Sequence, residues 1–408
     1  MTAREYPVFT VTPKAERSLR AGHPWVYGEE VTVVEGAYQN GDMVDVVSNK
    51  GRYLGTGWVN DHSKIRVRII SRNANDTFDE AFFRRRVCYA LNYRKTVMGP
   101  VDYRCCRLIF GEADQFPGLT VDRFENILVT QVLSLGMERR KDWVYRALVE
   151  LLREDGEQID AIYERNDVTI RTLEGLEQGK GFYQMEGLRT DLSGHVTITE
   201  NGIKYDVDYI EGQKTGFFLD QKYNRQAAAK LARGRRVLDC FTHTGAFALN
   251  AAAAGAEHVT AVDVSAFALE LAAENGKRNG LTNLDYKCAD VFDLLTEMAK
   301  EKKCDYDYII LDPPAFTKSR ATAKNAYHGY KEINRKAMRL LPRGGYLATC
   351  SCSHFMTDEM FRKMLWEAAL DAGVTLRQIE ARQQAPDHPI LPEVPETDYL
   401  KFYLLQVV

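Results

Sequence analysis

The hydrophobic pattern divides the chain into stretches of different period. Between Arg236 and Phe316, near-continuous apolar runs alternate with helical ones. RVLDCFTHTGAF (236–247) leads into ALNAAAAGA (248–256), then HVTAVDVS (258–265), a strand end near CADVF, and DYDYIILDPPAF (305–316). Apolar strands separated by helices predict βαβ units and a parallel sheet. Upstream, period two prevails. KIRVRIIS (64–71) alternates as a half-buried strand does, and VTITENGIKYDVDYI (196–210) alternates on both sides of Asn-Gly, a hairpin signal. Helices are expected over 76–95, 137–154 and 221–232, the last capped by Asp220. Two strand-like stretches are expected within 105–134, and a strand and loop over 159–175.

These elements group into three regions. Residues 1–75 form a small β-rich module and residues 76–190 an α+β middle domain. Residues 191–408 form an α/β domain with a Rossmann-like sheet, with the hairpin 196–210 at its start. In the middle domain, Cys105 and Cys106 are adjacent, so in a regular strand they face opposite ways. One core and one surface position are expected.

Composition narrows the class. A chain of 408 residues exceeds one typical core. MTAREYPVFT lacks the pattern of a secretion signal, and no run approaches the ~18 apolar residues of a membrane span. The eight cysteines are scattered without a CxxC pair, which suits a reducing cytosol better than a disulfide framework or a zinc site. The expectations are a cytoplasmic protein with no membrane or metal partner. Net charge is −3, so any RNA-binding surface must come from local clusters. The candidates are Arg84-Arg85-Arg86, Arg139-Arg140-Lys141 and Arg233/Arg235/Arg236.

The candidate chemistry sits at strand ends. Asp239, Asp263, Asp290 and Asp312 close four consecutive predicted strands, and ligands of such sheets bind beyond those carboxyl ends. A dinucleotide would need closely spaced glycines at the first turn. DCFTHTGAF offers only Gly245, a poor anion cradle. S-adenosylmethionine carries a cation in place of phosphate, so Asp239 suits its methionine portion, Asp263 its ribose hydroxyls and Asp290 its adenine amino group. The Asp312-Pro313-Pro314 loop is stiffened by its prolines, with Phe316 as a stacking aromatic. GGYLATCSCSHFM (344–356) is a strand ending in a cysteine-rich turn beside that loop. Pyrimidine C5 accepts a methyl group only after a thiolate adds to C6, so Cys352 is a candidate nucleophile. Cys350 faces the same way if the strand continues.

LDPPAF (311–316), TCSCSHFM (349–356), CFTHTGAF (240–247) and KTGFFLDQKYNR (214–225), with the YKEIN helix (330–334), resemble the PUA-containing 23S rRNA cytosine-5 methyltransferases of the class I adenosylmethionine type. The resemblance covers essentially the whole chain. It implies that residues 1–75 are an RNA-binding PUA barrel, that the partner is large-subunit rRNA, and that the protein is cytosolic. It assigns the nucleophile to Cys352 and the cofactor site to Asp220, Gln221, Asp239, Asp263, Asp290 and Asp312, with Phe241, Thr244 and Gly245 of the first turn. The substrate wall falls to Pro313, Pro314 and Phe316. Pro314 stands where many cytosine-5 enzymes carry a second cysteine, so Asp312 or a water is left to remove the C5 proton. The Asp-Pro-Pro-aromatic loop also resembles enzymes that methylate base nitrogens, which keeps a guanine N-methyltransferase open. A non-catalytic RNA-binding assembly factor is the third option. A homodimer is left open.

Overall fold

The computed structural model describes residues 5–301, 304–317 and 319–408. Met1–Arg4, part of the stretch tested for a secretion signal, lie outside these residues. The chain divides into two compact units. The first comprises Met1–Ile198, Val207–Leu219 and Pro386–Thr397; the second comprises Thr199–Asp206, Asp220–Ala385 and Asp398–Val408.

In the first unit, strands β1 (Val8–Val11), β2 (Trp25–Tyr27), β3 (Val31–Glu35), β4 (Met43–Ser48), β5 (Tyr53–Val59) and β6 (Ile65–Ser71) form a mixed sheet in the order β2-β6-β5-β4-β1-β3. Helix α1 (Pro13–Arg20) starts at Thr12, whose hydroxyl caps the Ala15 amide. Phe9, Val11, Leu19, Val44, Val46 and Val67 make its core. Helix α2 (Glu80–Val97) begins at Asp79, which accepts from the Phe82 amide at 3.0 Å. A second sheet runs β11-β10-β9-β8-β7, from β7 (Cys105–Phe110), β8 (Leu119–Phe124), β9 (Ile127–Val132), β10 (Ala161–Asn166) and β11 (Gly179–Phe182). Helices α3 (Leu135–Glu138) and α4 (Lys141–Glu154) lie between β9 and β10. Two expectations change here. The stretch 105–134 holds three strands, because the turn at Glu125, in the left-handed region at φ 56°, splits its second half. Cys105 and Cys106 are both fully buried. Consecutive residues are buried along β7, β8 and β9, so the sheet is covered on both faces and adjacency no longer separates inside from outside.

Pro386–Thr397 returns to this unit from late in the sequence. The Arg94 guanidinium, fully buried, donates to the Asp387 carbonyl at 2.8 Å and pairs with Asp114, while Asp387 Oδ2 accepts from the Arg107 amide at 2.8 Å.

The hairpin β12 (His195–Glu200) and β13 (Ile203–Asp208) turns at Asn201 and Gly202, at φ 53° and 80°. Two left-handed residues are what a tight primed turn requires, which is why Asn-Gly announces it.

The second unit holds the sheet predicted from the alternating pattern. Its strands are β14 (Arg236–Cys240), β15 (His258–Asp263), β16 (Leu284–Cys288), β17 (Tyr308–Leu311), β18 (Tyr346–Ser351), β19 (Leu376–Arg382) and β20 (Lys401–Val407), in the order β16-β15-β14-β17-β18-β20-β19. The first five are parallel and β20 runs antiparallel to β18 and β19. Helices α5 (Lys222–Ala229), α6 (Ala246–Ala253), α7 (Ala266–Arg278), α8 (Val291–Glu301), α9 (Ala323–Leu340) and α10 (Asp358–Ala372) connect or flank them. Two buried clusters, one including Ile309, Leu311, Leu347, Tyr330 and Phe361, the other Val237, Ile310, Ala348, Phe247 and Phe402, lie on opposite sides of the sheet. Burial on both faces explains why β17 reads as an unbroken apolar run. Strand order reverses between β14 and β17, the place where such sheets open a ligand crevice.

Candidate active site

All the candidate site residues belong to the second unit. Parallel pairing brings the ends of β14, β15, β16 and β17 to one rim, with Asp263 the last residue of β15 and Asp312 directly after β17.

Asp239 lies inside β14 and is fully buried. Its Oδ2 accepts from the Thr242 hydroxyl at 2.6 Å, and its Oδ1 is buried without a hydrogen-bond partner. Burial pushes its carboxyl up to about 7, against the opposing Thr242 hydroxyl; nearby Asp312 adds to the rise. An unsatisfied buried carboxylate oxygen is costly and is a natural seat for a ligand cation. The turn after β14 is strained. Phe241 and His243 both adopt left-handed backbone, at φ 63° and 52°, and Gly245 follows at 83°. A Cβ at Gly245 would sit 2.6 Å from Leu249 Cδ1 and 2.9 Å from Ala272 Cβ. Non-glycine residues held this way cluster at ligand sites. Thr244 is buried, and its hydroxyl lies 3.3 Å from His243 Nδ1. Burial pulls the His243 imidazole down, keeping it neutral.

Asp263 receives the His243 amide at 2.9 Å on Oδ2 and the Ser265 amide at 2.9 Å on Oδ1. Each oxygen keeps a lone pair for a further donor. Asp290 is exposed and caps α8 through the Phe292 and Asp293 amides, at 2.7 and 3.2 Å.

Asp312 is half-buried as a residue, but its carboxyl lies inside the fold. Oδ1 accepts from Gln221 Nε2 at 3.1 Å and from the Cys350 thiol at 3.0 Å. Burial pushes it up to about 6, held back by the Cys350 donor; Asp220 adds to the rise, and Arg225 and the Gln221 donor act against it. Gln221 is oriented in turn: its Oε1 accepts from Asn224 at 2.7 Å, and Asn224 Oδ1 accepts from Arg382 at 3.0 Å. Asp220 is not the cap of α5. That position is Gln221, without a side-chain cap bond. A short 3-10 turn over Leu219–Gln221 precedes the helix, and it turns Asp220 Oδ2 to accept from the Tyr399 hydroxyl at 2.7 Å.

Cys350 and Cys352 pack on the same cluster, Cys350 fully buried and Cys352 partly exposed one residue beyond β18. Burial and Asp312 push the Cys350 thiol well above its ordinary value. Pro313 is buried and Pro314 exposed. Phe316 is half-buried against Tyr330 at 4.5 Å, Phe292 at 5.7 Å and Phe241 at 6.5 Å between ring centroids.

Tyr399, Asn224, Arg382 and Lys401 also belong to this neighbourhood. Asn224 lies in the KTGFFLDQKYNR motif, three positions from Gln221; Tyr399 and Arg382 join across more than a hundred residues and Lys401 through the β18–β20 register. The basic clusters are largely engaged elsewhere. Arg84 binds Glu150 and Glu154, Arg139 binds Asp42, Lys141 binds Glu164, Arg235 binds Asp307 and Arg236 binds Glu257. Among the described residues no group of three His, Cys, Asp or Glu is arranged to hold a metal ion, and no helix is long and apolar enough to cross a membrane.

Comparison with known proteins places these features. Residues 9–72 match the PUA-like domain family, and residues 183–405 match the S-adenosylmethionine-dependent methyltransferase family. Ribosomal RNA large subunit methyltransferase I of Pseudoalteromonas atlantica is 40% identical over 98% of this chain and 99% of its own. The protein of that name from Shewanella denitrificans is 42% identical over 97% and 98%. A Streptococcus mutans protein named as a SAM-dependent methyltransferase shares the fold, with TM-score 0.81 and 22% identity over 98% of this chain and 100% of that one. The buried Asp239 oxygen, the acceptor pair on Asp263 and the single-glycine turn fit an adenosylmethionine site better than a dinucleotide one. The chain therefore belongs to the ribosomal RNA large subunit methyltransferase I family: it is an S-adenosylmethionine-dependent methyltransferase carrying a PUA-like domain.

Proposed function

We propose that the protein methylates C5 of cytosine in large-subunit (23S) ribosomal RNA, with Cys352 as the nucleophile. The observation that carries this reading is the contrast between the two cysteines of the β18 turn. Cys350 is sealed in the core and hydrogen-bonded to Asp312, whereas Cys352 stands partly exposed just past the strand end. Homology to relatives named for ribosomal RNA, together with the PUA-like domain, supports the substrate class.

Asp239 would hold the cationic methionine portion and Asp263 the ribose hydroxyls. Phe241, Thr244 and Gly245 would form the turn beside the ligand. Asp290 would sit at the adenine end, and Asp220 and Gln221 beside the Asp312 carboxyl. When bound, S-adenosylmethionine supplies the methyl group. The Cys352 thiolate adds to C6 of the flipped base, and the ring electrons move to C5, making it nucleophilic. Pro313 and Pro314 fix the loop that faces the base, and Phe316 presents an aromatic edge. Asp312, poised near 6, holds the cytosine N3/N4 edge. After methylation the C5 proton leaves to Asp312 or a water, the ring electrons return, and the C6–sulfur bond breaks to regenerate the thiolate.

RNA carrying 5-fluorocytosine tests this, since fluorine cannot leave as the proton does. A covalent adduct that survives denaturation is expected from the wild type and none from Cys352→Ala. Methylation of C5 by Cys352→Ala would end the reading. A second reading, guanine N-methylation, is favoured by the Asp312-Pro313-Pro314 loop. Nucleoside mass spectrometry showing methylguanosine without 5-methylcytidine would select it.

A further inference from the structure

Lys401 opens β20 and is 4% exposed. It stands opposite Ser351 of β18 in the antiparallel register. Its Nζ donates to the Ser353 carbonyl at 2.6 Å and to the Tyr399 carbonyl at 2.8 Å. The turn is tied from the other side too. Ser353 Oγ donates to the Thr317 carbonyl at 3.1 Å, in the loop that follows Asp312-Pro313-Pro314. Cys352 is thus carried on a turn clamped between a buried ammonium and the substrate loop.

A buried ammonium is expensive, and an apolar side chain of similar volume would fill the same space without that cost. Two backbone acceptors do not by themselves demand a charge. The cation has counter-charge in Asp398 and Asp358, and it also faces the sulfur one residue from its hydrogen-bonded carbonyl. We propose that Lys401 is a positioning residue for Cys352: it holds the turn and offsets the negative charge that the sulfur acquires as a thiolate. This rests on the reading of Cys352 as nucleophile.

The groups facing the ammonium are consistent with it. They are Asp398 on the approach to β20, Cys352, and Asp358 at the start of α10. Asp398 accepts from Gln383 at 3.2 Å, and Asp358 accepts from the Tyr403 hydroxyl. Burial draws the Lys401 ammonium down to about 8, with these three groups opposing, so it remains mostly charged near neutrality. Tyr330 from α9 and Cys350 from β18 also face Cys352, and burial raises both, leaving them neutral.

The test is the pH dependence of alkylation in the full-length protein. Iodoacetamide labelling of Cys352 is followed by peptide mass spectrometry, with the exposed Cys288 as an internal reference. In the wild type, Cys352 is expected to react with an inflection below the ~8.5 of an ordinary thiol and below that of Cys288. Lys401→Gln keeps donors for both carbonyls and removes the charge; it should raise the inflection by about one unit. Lys401→Arg should leave it within a few tenths. A wild-type inflection at or above that of Cys288 overturns the proposal even if the glutamine variant does not fold. An unchanged inflection in folded Lys401→Gln does the same. Failure of the nucleophile reading is seen separately: a lowered Cys352 inflection without a fluorocytosine adduct keeps the Lys401–Cys352 coupling and removes its catalytic purpose.

Discussion

At the scale of single residues, burial displaces two carboxyl groups of the site, Asp239 and Asp312, above their ordinary range. Asp239 is the clearest case. In the unfolded chain it titrates near ~3.9, and in the fold near about 7. Between these values the folded state keeps a proton that the unfolded state has lost, so stability falls as pH climbs through that window. Asp239→Asn should remove this decline. Urea midpoints at pH 5 and pH 8 should differ less in the variant than in the wild type. The positive charge of the cofactor reverses the balance by favouring the carboxylate. Adenosylmethionine should therefore bind more tightly as pH rises toward about 7, releasing a proton. Calorimetry in buffers of different ionisation enthalpy would detect the proton, and a pH-independent affinity would contradict the assignment. Asp312→Asn should retain the fold while lowering kcat by on the order of 10²-fold or more, read from methyl incorporation into RNA. The strand-end acids were legible because a parallel sheet sends successive strand ends to one rim. Lys401, Arg382 and Tyr399 were not, because only tertiary pairing joins them to it.

At the scale of elements, local chemistry was readable wherever one or two residues decide the geometry. Asn201-Gly202 fixed the hairpin, and the apolar runs gave the parallel strands. Tertiary demands overrode local rules elsewhere. A 3-10 turn moved the start of α5 and gave Asp220 to Tyr399, and covering both faces of the second sheet buried Cys105 and Cys106 together. The Glu200–Arg225 pair is the same lesson in energetic form. It is bidentate, at 2.7 and 3.1 Å, and both side chains are nearly sealed from solvent. Removing one partner strands a buried charge, so Glu200→Gln should destabilise the fold by about 3–5 kcal/mol, seen in the urea midpoint. Gly202→Val should cost about 1 kcal/mol or more, because a branched side chain resists φ 80°.

At the scale of the whole molecule, a net charge of −3 leaves any RNA surface to local clusters. The clusters that stand out in sequence are mostly satisfied by carboxylates. Arg84→Ala should therefore leave RNA affinity within about two-fold and stability within about 1 kcal/mol, since its pairs are exposed; a filter-binding titration and a melt would show either. The path of the backbone has a further consequence for biosynthesis. The carbonyl of Asp387 that receives Arg94 lies 293 positions downstream of it. At about 5–20 residues per second on the ribosome, that guanidinium waits roughly 15–60 s for its acceptor. The amino-terminal unit emerges with a buried cation only partly compensated. Its maturation is then paced by translation of the carboxyl-terminal unit, and nascent chains arrested before Pro386 should show more protease-sensitive amino-terminal halves than finished ones.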